Sequence, residues 1–371
     1  MRKLLLFLCG AAALAFCLYG GNVEAASKAS VVIEAKTLVV LEEHNAYARL
    51  PMASTTKAMT AIVAIEEGNL EEMVSVSARA AGVGGSSMYL KEGDKIRLGE
   101  LIAATLFVSA NDGTVAIAEH IDGSMEKFVE RMNRKAFALG LKDTHFANTH
   151  GLTQEGHYTT AYDLACIMAY AIQNETFYKI VSAKNWPVTV NGETHTYTNK
   201  DQFLYRYEYA VGGKTGSTNA AGRCFVSAAE QDGMTLCGAV LNSSDIYGES
   251  IAMMKRCFAS YTLENMGNKG EYMATIPIEG GRAKTYQLSF QEDLYVPVLR
   301  KDLGKARIEL NYVDYLVAPV RAGQVLGRYY VILGQKVLYQ SVIRAPKLVR
   351  KKGSTIEEFF SYFNKTLNFA F

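Results

Sequence analysis

Residues 51–65 read Pro-Met-Ala-Ser-Thr-Thr-Lys-Ala-Met-Thr-Ala-Ile-Val-Ala-Ile, with Ser54 and Lys57 three apart at the head of an apolar run. Beyond Lys57 the segment has almost no polar face, the pattern of a helix at the centre of a large domain. A lysine in its first turn is therefore withdrawn from bulk water. Residues three apart on a helix share a face, so the Lys57 amine can reach the Ser54 hydroxyl. Burial disfavours the ammonium, and a second cation nearby disfavours it further, which makes the amine a usable base near neutral pH. The helix N-terminus adds positive potential where an oxyanion would form.

The spacing alone is weak. A bare Ser-x-x-Lys is expected about once or twice by chance in a chain this long. Ser124-Met125-Glu126-Lys127 repeats it. That serine follows the turn signal Asp122-Gly123, and the chain continues as an ordinary amphipathic helix with Phe128, Met132 and Phe137 as apolar points.

Two later segments supply complementary chemistry. Ser109-Ala110-Asn111 is a polar break between two apolar helical runs. Its hydroxyl could pass a proton and its amide could hold a substrate carbonyl; a plain helix cap fits the same residues. Lys214-Thr215-Gly216-Ser217 precedes an apolar run from Cys224 that reads as a buried strand or the return strand of a hairpin. An edge strand there suits a substrate that adds as an extra strand, with Gly216 allowing close backbone approach. The Lys214 ammonium and Thr215 hydroxyl can bind a carboxylate. No phosphate loop is present, because the required Gly-x-x-x-x-Gly before the Lys-Thr pair is missing.

These residues, in this order, resemble the low-molecular-weight penicillin-binding proteins, the serine-type D-Ala-D-Ala carboxypeptidases of the peptidase S11 type. The resemblance extends to GSSMYLKEGDKI, MNRKAFALGLKDTHFANTHGL, GHYTTAYDLA and GGKTGSTNAAGRCFVSA. Ser109 follows Ser54 by 55 positions (109 − 54), and Lys214 follows Ser109 by 105 (214 − 109), which also fits. The resemblance implies an α/β (α+β) β-lactamase-like transpeptidase domain with an antiparallel sheet and helices, plus a small all-β C-terminal domain. It implies Ser54 as acylated nucleophile, Lys57 as general base and Ser109 as proton relay. Asn111 would position the substrate, Lys214 and Thr215 would contact its terminal carboxylate, and the N–H groups of Ser54 and Ser217 would form the oxyanion hole. The implied substrate is a peptidoglycan stem peptide ending in D-Ala-D-Ala, with β-lactams acylating the same serine, no cofactor and no metal. Two departures stand out: Ser-Ala-Asn replaces the commoner Ser-Gly-Asn, and Lys200 is the nearest match to a basic residue that assists carboxylate binding in some relatives.

Related activities use the same triple. A class A β-lactamase also needs a Glu-x-x-Leu-Asn loop to activate the deacylating water, and no glutamate between Ser109 and Lys214 has that context. Transpeptidation by an amine remains open. A silent wall-binding scaffold is disfavoured by the intact Ser54, Lys57 and Lys214.

Composition and termini set the surroundings. The chain has 371 residues, 49% hydrophobic and 20% charged, enough for two cores, and its net charge of +2 implies no nucleic-acid partner. Arg2 and Lys3 precede the apolar run Leu4 to Tyr19, followed by Val23-Glu24-Ala25. Residues 1–25 thus read as a secretory signal peptide, with an uncleaved anchor or a lipoprotein at Cys17 as alternatives. Cys166, Cys224, Cys237 and Cys257 lie in apolar runs and read as buried free thiols, although an even count permits disulfides. His150 and His157 flank a Gly-rich turn and read as polar loop residues.

The catalytic domain is expected over 26–268 and an all-β domain over 272–345, with a change of character at Asn268-Lys269-Gly270. ATIPI, TYQLSF, DLYVPVL, ARIELNYV and YLVAPV read as short strands. GRYYVIL and KVLYQSVI read as a hairpin around Gly334-Gln335. In residues 354–371, Ile356, Phe359, Phe360, Phe363 and Leu367 share a helical face behind Lys347, Arg350, Lys351 and Lys352. That pattern suits an amphipathic helix lying on a membrane surface, or a helix docked on protein. Together the two ends place the protein outside the cytoplasmic membrane, peripheral on its outer face.

Overall fold

The computed structural model describes residues 27–353. The signal-peptide and amphipathic-helix expectations, over 1–25 and 354–371, lie outside those residues. The chain forms two compact units that divide between Cys257 and Phe258.

The first unit is built on a five-stranded sheet. Its strands are Ala29–Glu34 (β1), Val40–His44 (β2), Ala210–Thr218 (β7), Gly222–Gln231 (β8) and Met234–Leu241 (β9), in the order β2-β1-β9-β8-β7 with every pairing antiparallel. A smaller sheet joins Met73–Ser75 (β3), Lys95–Arg97 (β4), Asn185–Val190 (β5) and Glu193–Thr198 (β6). The helices are Lys57–Glu67 (α1), Ala78–Ala81 (α2), Leu98–Val108 (α3), Asn111–Asp122 (α4), Met125–Ala138 (α5), Ala161–Ala171 (α6), Glu175–Ser182 (α7), Phe203–Arg206 (α8) and Ile246–Ser260 (α9). Residues Lys57 through Ile65 of α1 are all buried, as an apolar run without a polar face requires. Phe107, Phe128, Phe146 and Phe177 fill the same core, each worth about 1.5–3 kcal/mol relative to exposure. Cys166, Cys224, Cys237 and Cys257 are buried free thiols.

The Cys224 run is both a buried strand and the return arm of a hairpin, since β7 and β8 pair with Lys214 opposite Val226 and Gly216 opposite Cys224. β7 ends the sheet, so Lys214 and Gly216 lie on an edge strand. One expectation fails in α5. Phe128 and Met132 are buried, but Phe137 is 87% exposed. The stripe continues four residues on, at Ala136, and Phe137 falls outside it.

The second unit is all β among the described residues, apart from the end of α9 and a 3₁₀ turn at Arg300–Asp302. Tyr261–Gly267 (β10) pairs with Leu294–Leu299 (β13); Tyr272–Glu279 (β11) lies between Thr285–Ser289 (β12) and Leu316–Val317 (β15). Arg307–Tyr312 (β14), Val325–Leu333 (β16) and Lys336–Arg344 (β17) form a third sheet, and the β16–β17 hairpin turns at Gly334 as its sequence indicates. Two differences emerge. β10 lies ahead of the change of character expected at 268–270, because its partner is about thirty residues downstream and leaves no local signature. YLVAPV gives only two strand residues, since Pro319 has no N–H to donate to a ladder.

Candidate active site

Ser54 sits in a 3₁₀ turn, Ala53–Thr56, that runs into α1. Ala53 holds φ +48, the left-handed region, and the surrounding hydroxyls fix this bend. Thr55 Oγ1 donates to Met52 O at 2.6 Å, and Thr60 Oγ1 donates to Thr149 O at 2.7 Å. Thr56 Oγ1 donates to Ala53 O at 2.8 Å and meets His157 Nε2 at 2.8 Å. The 148–151 loop presses against the turn from the other side. A Cβ on Gly151, at φ +92, would lie 1.9 Å from Ala53 O, so only glycine fits.

Lys57 is fully buried at the first position of α1. Its amine lies 2.9 Å from Ser54 Oγ and donates to Asn111 Oδ1 and to His150 O, each at 2.7 Å. Burial pushes its pKa well below that of a free lysine; repulsion from Lys214 adds to the effect, and Asp112 opposes it. The expected meeting of amine and hydroxyl is therefore present, and both expected causes of the shift operate.

Ser109 and Asn111 stand where α3 gives way to α4. Ser109 adopts φ +63 as the last cap of α3, half-buried, and its side chain makes no hydrogen bond to Ser54 or Lys57. Asn111 is no helix cap. Its amide joins Lys57 to the 84–90 loop, donating to Gly84 O at 2.8 Å, while its own N–H donates to Ser86 O at 2.7 Å. Asp112 secures the rest of that loop, accepting from Ser87 Oγ at 2.6 Å, Met88 N at 3.2 Å and Leu90 N at 3.1 Å.

The Lys214-Thr215-Gly216-Ser217 edge lies directly against the nucleophile turn. A Cβ on Gly216 would come within 2.7 Å of Ser54 N and 2.9 Å of Thr55 N, so β7 touches the turn through bare backbone. Lys214 is buried and donates to Thr215 O at 2.9 Å. Desolvation lowers its pKa to about 8, with Asp201 resisting and Lys200 assisting the fall. Thr215 is half-buried, and Ser217 is exposed at the rim.

Three contributors escaped the sequence reading. His150 supplies a backbone carbonyl, and a carbonyl has no side-chain signature. His157 is a loop residue as expected, but a buried prop as well, accepting from Ala147 N through Nδ1 at 3.0 Å. Burial lowers both histidine pKa values to about 4, so both rings are neutral at pH 7. Asp112 was visible only as the neighbour of Asn111.

A Ser-x-x-Lys turn packed against the edge strand of an antiparallel sheet, followed along the chain by an all-β unit, is the architecture of the penicillin-binding protein fold. Penicillin-binding protein 5 from Haemophilus influenzae superposes with a TM-score of 0.76 at 27% identity, covering 88% of this chain and 98% of that one. The D-alanyl-D-alanine carboxypeptidase DacD from Francisella tularensis superposes with a TM-score of 0.67 at 27% identity, over 90% and 95%. Residues 19–245 match the D-alanyl-D-alanine carboxypeptidase family and residues 261–352 the C-terminal domain of penicillin-binding protein 5. The chain belongs to the D-alanyl-D-alanine carboxypeptidase family, whose members are serine-type hydrolases. It is 30% identical to carboxypeptidase DacF of Bacillus subtilis over 92% of this chain and 89% of that protein. It is 34% identical to carboxypeptidase DacA of Escherichia coli, over 84% and 80%.

Proposed function

We propose that Ser54 and Lys57 are the nucleophile and general base of a D-Ala-D-Ala carboxypeptidase that trims peptidoglycan stem peptides. The observation that carries this is the set of three partners around the Lys57 amine. Asn111 Oδ1 and His150 O can only accept. A neutral amine has two N–H donors and one lone pair, so those acceptors use both donors and the lone pair faces the Ser54 hydroxyl. That is the arrangement of a base awaiting a proton.

The Ser54 proton moves to Lys57 as Oγ bonds to the carbonyl carbon of the penultimate D-Ala, and the carbonyl electrons move onto oxygen. The N–H groups of Ser54 and Ser217 receive that oxyanion. Collapse breaks the C–N bond, and the departing amine takes its proton from Lys57 through Ser109. Water then attacks the acyl-enzyme carbonyl, giving its proton to Lys57; the bond to Ser54 Oγ breaks, and Lys57 returns that proton to Oγ, restoring the hydroxyl and the neutral amine. Lys214 and Thr215 hold the terminal carboxylate, Asn111 the peptide, and Gly216 admits the substrate backbone along the edge of β7. β-Lactams acylate Ser54 by the same attack.

Residues 1–25 serve as a leader, the unit that ends at Cys257 as the catalytic domain and residues 258–353 as the all-β domain, with 354–371 an amphipathic anchor on the outer face of the membrane. No helix among the described residues is long and apolar enough to cross a membrane. The test incubates the leaderless protein with a peptide ending in D-Ala-D-Ala and with labelled penicillin. Free D-Ala and a slowly lost Ser54 adduct, both absent in Ser54→Ala, support the reading. Rapid penicillin turnover would make it a β-lactamase, and an amine-transfer product a transpeptidase. Removing 354–371 should release the protein from membranes with activity intact.

A further inference from the structure

We propose that Asp201 is a positioning residue that holds Lys214 as an ammonium facing the substrate carboxylate. The inference rests on the carboxylate-binding role given to Lys214 above. Its basis is a buried acid with an unfilled oxygen beside a buried cation with few partners.

The segment 199–203 is fastened from within. Asn199 Nδ2 donates to Ala183 O at 3.1 Å and Val181 O at 3.4 Å, and its Oδ1 accepts from Asp201 N at 3.0 Å. Asp201 Oδ1 accepts from Phe203 N at 2.9 Å, and the Phe203 ring meets Phe225 of β8 edge-on at 5.6 Å. The carboxyl is thus fixed next to β7 and is only 5% exposed. Its other oxygen, Oδ2, has no partner at full hydrogen-bond geometry, while the Gly213 N–H of β7, the residue before Lys214, lies near enough to the carboxyl to favour its charged form. A buried carboxylate oxygen left unsatisfied costs stability unless a nearby cation offsets it.

Lys214 is that cation. Its ammonium would carry three N–H donors, and Thr215 O is the protein acceptor it reaches. No hydrogen bond joins it to Asp201, so their attraction acts through space. The charges around Lys214 are otherwise repulsive: Lys57 from the nucleophile turn and Lys200 from the segment ahead of α8. Asp201 in turn is acted on by the N–H groups of Phe203 and Gly213 and by the Lys214 charge, and its own charge reaches the Tyr247 hydroxyl of α9. The carboxylate therefore favours the Lys214 ammonium, and that ammonium keeps Lys57 neutral. Asp201 anchors this sequence of charges without touching the reacting atoms.

Asp201→Asn keeps the acceptor for Phe203 N and removes the charge. In the variant, KM for a peptide ending in D-Ala-D-Ala should rise about tenfold near pH 8.5, with kcat within about twofold, because less Lys214 stays protonated. Near pH 6 the two KM values should converge, and the alkaline limb of kcat/KM should move acidward by about one pH unit. An amide-capped peptide should show no such difference. An alkaline limb that stays in place in the variant, or an equal loss at every pH, would overturn the assignment of Asp201 alone. No alkaline limb in the unaltered enzyme would overturn both it and the carboxylate role of Lys214. If the variant does not fold, the unaltered protein still decides the matter. The Lys214 side-chain NMR signal, assigned with Lys214→Arg, should show a second inflection near pH 6, where Asp201 takes up its proton. A flat signal there would also overturn the proposal.

Discussion

The chain writes Ser-x-x-Lys twice, and the two copies end in opposite roles. At Ser54 and Lys57 the side chains meet at 2.9 Å, with the lysine fully buried. At Ser124 and Lys127 the serine hydroxyl accepts from the backbone N–H of Lys127 at 3.2 Å, as the N-cap of α5, and the lysine side chain is exposed. Spacing is common to both. What differs is the ground each stands on: a bend at Ala53 that turns the hydroxyl toward the amine, and an apolar helix that removes the amine from water. Three residues of separation make contact possible; burial makes it chemistry.

The comparison breaks most sharply in the nucleophiles. Ser54→Ala should lower D-Ala release by about 10⁴-fold or more, while Ser124→Ala leaves it unchanged. The lysines should divide in the same way. Lys57→Ala should cost about 10²–10⁴-fold in kcat, and Lys127→Ala nothing measurable. A pH profile sharpens the point, because the exposed pair cannot produce one. Activity should rise as the lowered Lys57 pKa is passed and the amine becomes neutral, then fall above about pH 8 as Lys214 loses its ammonium. Stability should show a related acid dependence. His150 and His157 have folded pKa values near 4, below the ordinary 6.5, so the unfolded chain binds protons first. Stability is then fully present above about pH 6.5 and declines by a few kcal/mol toward pH 4, which denaturant titrations at several pH values would measure. The smallest effect belongs to the second copy. Ser124→Ala should cost about 1 kcal/mol through loss of a cap, read as a small fall in Tm.

Much of the site was legible because its signals are local. The apolar run after Lys57 announced burial, and the polar break at Ser109–Asn111 fell where α3 meets α4. The hairpin at Gly334 likewise carries its turn and both arms within one stretch. What the sequence hid is non-local or belongs to the backbone. The His150 carbonyl serves Lys57 from 93 residues away. The burial of His157 depends on Thr56 and Ala147, which no pattern links to it. β10 pairs across a long excursion, and Phe137 misses its stripe by one position.

The four thiols of the first unit have a practical consequence. Burial pushes Cys166 and Cys257 to about 12, Cys224 to about 11 and Cys237 well above the usual thiol range, so none presents a reactive thiolate while the core is closed. They act as a silent clock. An alkylating reagent should tag them only as fast as the sheet and its helices part, so the order in which they are tagged would chart which part of the molecule opens first.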